Sequence, residues 1–156
     1  MMLGFFALFQ WNSAKKLRRA EFIDKILSQT RFNKDMAKTM YIIDYDHYWY
    51  TEDFHNSSSN FEFQVDKLLS YMDYICYLFY MKNISDKEFN ILKYELNRIC
   101  ISPSVQAYLW NLYHFSKKMK TNCSFMYIID YGIKHKIMKN DFKNNYYDLY
   151  NKYLNF

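Results

Sequence analysis

The run Phe61–Met81, FEFQVDKLLSYMDYICYLFYM, is the longest apolar-periodic stretch of the chain and limits most severely what the chain can fold into. Phe61, Val65, Leu68, Met72, Ile75 and Phe79 recur every three or four residues, and Leu69 and Cys76 widen the stripe. On a 3.6-residue period they share one face, broad enough for more than one neighbour to cover. Glu62, Asp66, Lys67 and Asp73 interrupt the run, so it reads as a core helix and not as a membrane span. No residue in it has the look of a catalyst.

The rest of the chain is built to pack around such a helix. Two Gly and one Pro in 156 residues leave few tight turns, which disfavours a strand-rich fold. The length suits one domain with a core that needs no covalent staples. The expected architecture is all-α: a bundle of about six to seven helices preceded by a long basic N-terminal helix. The expected division is an arm over residues 1–32 and a single helical domain over 33–156.

Within the domain the caps are explicit. Asn33 is placed to cap a helix whose apolar face is Met36, Met40 and Ile43. Ser85-Asp-Lys-Glu88 has the spacing of a capping box ahead of Phe89, Leu92, Leu96 and Ile99. Ser102 and Pro103 suit the N-cap and first position of the next helix, with Val105, Leu109, Leu112 and Met119 as its stripe. Phe125, Ile128, Ile129, Gly132 and Ile133 restart the pattern. A last stripe runs Phe142, Tyr146, Leu149 and Tyr153.

Cys76, Cys100 and Cys123 are odd in number, widely spaced and free of any CxxC. They read as core thiols in a reducing compartment.

Charge is distributed unevenly. Residues 1–40 hold eight Lys and Arg against three acids, whereas residues 41–156 hold 13 of each sign. Residues 41–156 are neutral, and the first 40 residues carry the whole net charge of +5. A nucleic-acid-binding body would need its own basic face, so this balance disfavours nucleic acid as partner.

The arm itself begins MMLGFFALFQW, followed closely by Lys15, Lys16, Arg18 and Arg19. An apolar run, a Trp and then a basic cluster is the order found where a membrane helix meets the cytoplasm. Eleven residues rise only about 16 Å, roughly half a hydrocarbon core. The order of charge and apolar residues is also wrong for a secretory signal. The run is therefore a half-inserted anchor, the end of a longer span, or an apolar helix end that packs on a partner. Phe5, Phe6, Phe9, Trp11, Lys15, Lys16, Arg18 and Arg19 are the expected contact residues. The expected partner is a membrane surface or short anchor, together with a protein partner or further copies of the chain. The expected location is the cytoplasmic side of the inner membrane.

One stretch could carry chemistry. Asp44, Asp46, His47, Glu52, Asp53 and His55 crowd the aperiodic segment DYDHYWYTEDFHNSSSN. Carboxylates and histidines can hold a divalent metal or move protons. Their spacing is irregular, and Tyr45, Tyr48, Trp49, Tyr50 and Phe54 interleave with them, which points to a loop fixed to the domain by its rings. No Gly-rich phosphate loop, GxSxG or HExxH occurs. No cofactor and no metal is expected. The alternative is a nucleic-acid-acting enzyme using Asp46, His47, Asp53, His55 and His114.

Across YIIDYDHYWYTEDFHN, FEFQVDKLLSYMDYICYLFY, ISDKEFNILKYELNRI and VQAYLWNLYHFSKK the chain resembles small bacterial membrane-associated helical proteins of unknown function, of the DUF4760 kind. The resemblance covers roughly residues 15–138. It implies a cytoplasmic-side helical domain without an established activity. A more distant likeness is to helical HEPN-type domains, some of which cut RNA with an Arg and a His four to six residues apart. No Arg precedes any of the four His at that spacing. Together these readings favour a non-enzymatic, membrane-proximal interaction or effector module of a bacterial or mobile-element system, defence included. The HEPN-like ribonuclease is the alternative.

Overall fold

The computed structural model describes residues 2–45, 48–51, 54–56 and 60–144, with side chains from residue 10 onward. Among these residues are seven α-helices and no strand, as the sparse glycine and the 3.6-residue patterns require. They are α1 (Met2–Leu27), α2 (Lys34–Tyr45), α3 (Phe61–Tyr80), α4 (Asp86–Phe89), α5 (Lys93–Ile101), α6 (Pro103–Lys118) and α7 (Met126–Lys134). The chain divides into two compact units, residues 1–37 and 38–156.

In the first unit α1 runs 26 residues, ~39 Å at 1.5 Å per residue. It passes into a π-helical turn, Ser28–Phe32. There the buried Thr30 hydroxyl donates to the carbonyl of Ile26 at 3.1 Å, and it lies 3.2 Å from that of Leu27. A Thr that bonds back in this way offers the backbone an alternative to the helical ladder. Asn33 then caps α2: its side-chain oxygen accepts from the amides of Asp35 (3.1 Å) and Met36 (3.2 Å).

The second unit is built on α3. Val65, Leu68, Leu69, Met72 and Ile75 are wholly enclosed, so the expected stripe is the core itself. The 3₁₀ turn Phe54–Asn56 and α7 both pack on α3, and α5 packs on α6 and α7. Trp110 and Tyr108 of α6 are buried with this core.

Two local expectations are corrected. The helix after Ser85 is two helices, because the amides of Ile91 and Leu92 turn to carbonyls three residues back, on Glu88 and Phe89. Such tightened bonds end a helical run, yet Phe89, Leu92, Leu96 and Ile99 are all buried. On α6 the buried stripe stops early: Leu112 is half-buried and Met119 is exposed. Asn60 does not cap α3 with its side chain; it stands in the left-handed region at φ 53°. Of the last stripe Phe142 is buried, and Tyr146, Leu149 and Tyr153 lie outside the described residues.

A buried carboxylate fixes α7. Asp73, in the middle of α3, accepts a hydrogen bond from the Ile128 amide at 2.9 Å and a second from the Tyr127 amide, in the first turn of α7. It supplies from another helix the acceptor that an N-cap residue would supply locally. Burial nevertheless pushes its pKa up, against the effect of those two amides, to about 6. A carboxyl whose folded pKa exceeds its unfolded value stabilises the fold most below the unfolded value. That stability is lost as pH rises from about 4 through 6. Urea midpoints of the wild type are therefore expected to fall across this window, and those of Asp73→Asn, which keeps an acceptor but no charge, to stay flatter. Asp73→Ala leaves the amides unmet and is expected to cost about 1–2 kcal/mol. Equal pH profiles for wild type and Asn variant would contradict this account of Asp73.

Gly132 sits at a close approach. A Cβ there would lie 2.7 Å from Met138 Sδ, so the chain after α7 folds back onto a surface that a larger residue would obstruct.

Candidate functional site

The aromatic–acidic segment between α2 and α3 is held by its rings. Trp49, Tyr50 and Phe54 are buried. They meet Tyr108 of α6 with ring centroids 6.4, 5.3 and 5.4 Å away, in edge-on or tilted contacts, and Trp49 and Phe54 also meet Phe61 of α3. Edge-to-face packing of this kind adds to the stabilisation that burial alone provides. Several polar groups inside the cluster are paired with each other, while Trp49 Nε1 and Asn111 Oδ1 are buried without a hydrogen-bond partner among the described residues. The Tyr108 hydroxyl donates to Asp66 Oδ1 at 2.6 Å, Asn111 Nδ2 donates to the Tyr50 hydroxyl at 2.8 Å, and the Tyr50 amide donates to Ser104 Oγ at 3.4 Å. Burial raises the pKa values of Asp66 and Tyr108. These groups join the segment to the body, as the interleaved rings suggested.

The proposed catalytic set is distributed as follows. Asp46, His47 and Asp53 lie outside the described residues, as does Glu52. Asp44 is bound by Arg98 of α5, whose Nε donates to Oδ1 at 2.8 Å and whose Nη2 meets Oδ2. Such a bidentate pair fixes a carboxylate and occupies both its oxygens. His55 has Nδ1 2.7 Å from Glu62 Oε1 and its ring against Tyr50 and Phe54. His114 is half-buried on α6, with its ring centroid 3.9 Å from that of Trp110 and beside Tyr113. Burial, with Lys117 adding to it, lowers its pKa. The two histidines thus have different surroundings, one acidic and one aromatic beside a lysine. Among the described residues no group of three or more His, Cys, Asp or Glu is arranged to hold a metal.

The cysteines are free. Cys76 and Cys100 are buried, and burial pushes the Cys100 thiol up to about 12 and raises that of Cys76 as well. Thiols with so little thiolate are poor nucleophiles.

The N-terminal arm is the contrasting case. From Gln10 to Lys25 every side chain of α1 is exposed or half-exposed. Trp11 is 64% exposed, and Leu17 and Phe22 are exposed too. Leu17, Ala20, Ile23 and Leu27 recur every three or four residues on α1, yet none is buried; Ile26 beside them is. At 100° per residue, Trp11, Lys15, Arg18 and Phe22 fall within one narrow face. Lys15 Nζ stands 5.7 Å from the Trp11 ring centroid. Arg19 is exposed beside this face, and Lys16, also exposed, lies further round the helix on the same side. Phe5, Phe6 and Phe9 are on the helical backbone of α1, and their side chains lie outside the described residues. No helix among the described residues is long and apolar enough to cross a membrane.

Comparison with protein families, with curated proteins and with solved structures returns no match.

Proposed function

We propose that this chain is a non-enzymatic interaction module that docks on an anionic membrane surface through α1. The observation that carries the reading is the exposed aromatic–basic face of that helix. A ring of Trp and one of Phe flank two cations on one face, Arg19 adjoins it, and Lys16 lies further round the same helix. Trp suits the headgroup level, where its ring is half in hydrocarbon and its N–H stays wet. Each Lys or Arg near an anionic leaflet contributes about 1 kcal/mol, so the four from Lys15 to Arg19 contribute on the order of 4 kcal/mol. A helix of this kind lies in the interface and does not span it. The location that follows is the cytoplasmic side of the inner membrane, and the neutral body of residues 41–156 is left to engage a protein partner or a further copy. The resemblance to the DUF4760 proteins is in keeping with this reading.

The intact chain, mixed with phosphatidylcholine vesicles that contain phosphatidylserine, should sediment with them. It should remain in solution with vesicles of phosphatidylcholine alone. Raising salt from about 0.1 to 1 M shortens the Debye length from roughly 10 to 3 Å and should release much of the bound protein. Equal binding to both vesicle types, or none to either, would overturn the proposal.

A further inference from the structure

A cleft of about 740 Å³ opens where the C-terminal end of α3, the turn after it and α7 come together. This volume is in the range of roughly 300–1,000 Å³ typical of small-molecule sites. Its floor is apolar and buried: Cys76, Ile84 and the ring of Tyr131. The floor is also rigid. The Tyr131 hydroxyl donates to Asn97 Oδ1 of α5 at 2.8 Å, and its ring meets Phe89 at 5.6 Å. Phe79, held face to face with Phe89 at 4.0 Å, and Tyr127 form the walls. The cleft is therefore lined by aromatic rings over an apolar base.

The rim is charged and unevenly paired. Lys82 and Lys134 line it, and neither has an ion-pair partner among the described residues. Of the two rim carboxylates, Asp130 is held by Lys143 at 2.5 Å, and Asp86 lies in the first turn of α4. His135, its ring tilted against that of Tyr131 at 4.4 Å, completes the rim. Burial, and after it Lys93 and Lys134, lower its pKa.

We infer that this cleft binds a small aromatic anion, a flat ring system bearing one carboxylate or sulfonate. The ring lies against Phe79, Tyr127 and the Tyr131 floor, and the acid group sits at the Lys82 and Lys134 rim. The site is separate from the arm and does not depend on membrane docking.

The test is a fluorescence titration of the intact chain with anilinonaphthalene sulfonate, an aromatic sulfonate, beside the uncharged phenylnaphthylamine and a cationic aromatic dye. Saturable binding of the sulfonate is expected, with the His135 ring resonances shifting as the site fills. Lys82→Gln with Lys134→Gln should weaken the sulfonate about tenfold and change the uncharged probe less than about twofold. Both lysines are exposed, so the variant should keep its melting temperature, and its vesicle binding should match the wild type. Sulfonate binding that ignores the two substitutions or leaves His135 unmoved would place the probe elsewhere and overturn the inference. Preference for the cationic dye would overturn it as well.

Discussion

Leu69→Ala should lower the stability of the body by about 2–5 kcal/mol. Leu69 is wholly enclosed in α3, together with Val65, Leu68, Met72 and Ile75. α3 is the element on which α7 and the 3₁₀ turn pack, so its side chains have neighbours on more than one side. Truncation removes three buried carbons and leaves a space that several helices would have to move to fill. Packed interiors relax only partly, which is why the cost exceeds the transfer free energy alone. Ile75→Ala should behave alike, whereas Phe63→Ala on the exposed face of the same helix should change little. Urea denaturation of the three variants measures this, and equal midpoints for Leu69→Ala and Phe63→Ala would remove α3 from the centre of the fold.

That much was legible because burial leaves a period. The stripe of α3, the Asn33 cap and the Ser102–Pro103 start each depend on residues within one or two turns of each other, and such signals survive in a linear chain. What depends on distant residues did not show. Nothing near Asp73 in sequence reveals that it receives the amides of Ile128 and Tyr127, because its partners lie 54 and 55 residues away. Arg98 gives no local sign that it will pair with Asp44, 54 residues away. The break between α4 and α5 was hidden for the opposite reason: Phe89, Leu92, Leu96 and Ile99 keep helical spacing across it. Cleft residues such as Lys82 and Lys134 come from separate helix ends and carry no motif between them. In the arm, the block order of rings and charges was readable, but the exposure of Leu17 and Phe22 was not.

Replacing Lys15, Lys16, Arg18 and Arg19 together by Glu should abolish docking on anionic vesicles at moderate salt. The four cations contribute on the order of 4 kcal/mol, so losing them alone weakens binding by nearly a thousandfold. The four carboxylates then add repulsion. All four side chains are exposed, and Glu is as good a helix former as Lys or Arg, so the helix and the melting temperature should persist. Unaltered circular dichroism with lost sedimentation is the expected pair of results. The change should matter less as salt rises, because screening already weakens the wild type there.

The most direct measurement uses Trp11 as its own reporter. Trp49 and Trp110 are buried in the body, 7% and 1% exposed, whereas Trp11 stands open on the arm. Vesicles carrying brominated acyl chains quench only indoles that reach the hydrocarbon boundary. On binding to anionic vesicles of this kind, part of the tryptophan emission should be quenched, and Trp11→Phe should remove that quenched part. Binding that leaves the emission unquenched, or quenching that persists in Trp11→Phe, would contradict docking through this face of α1.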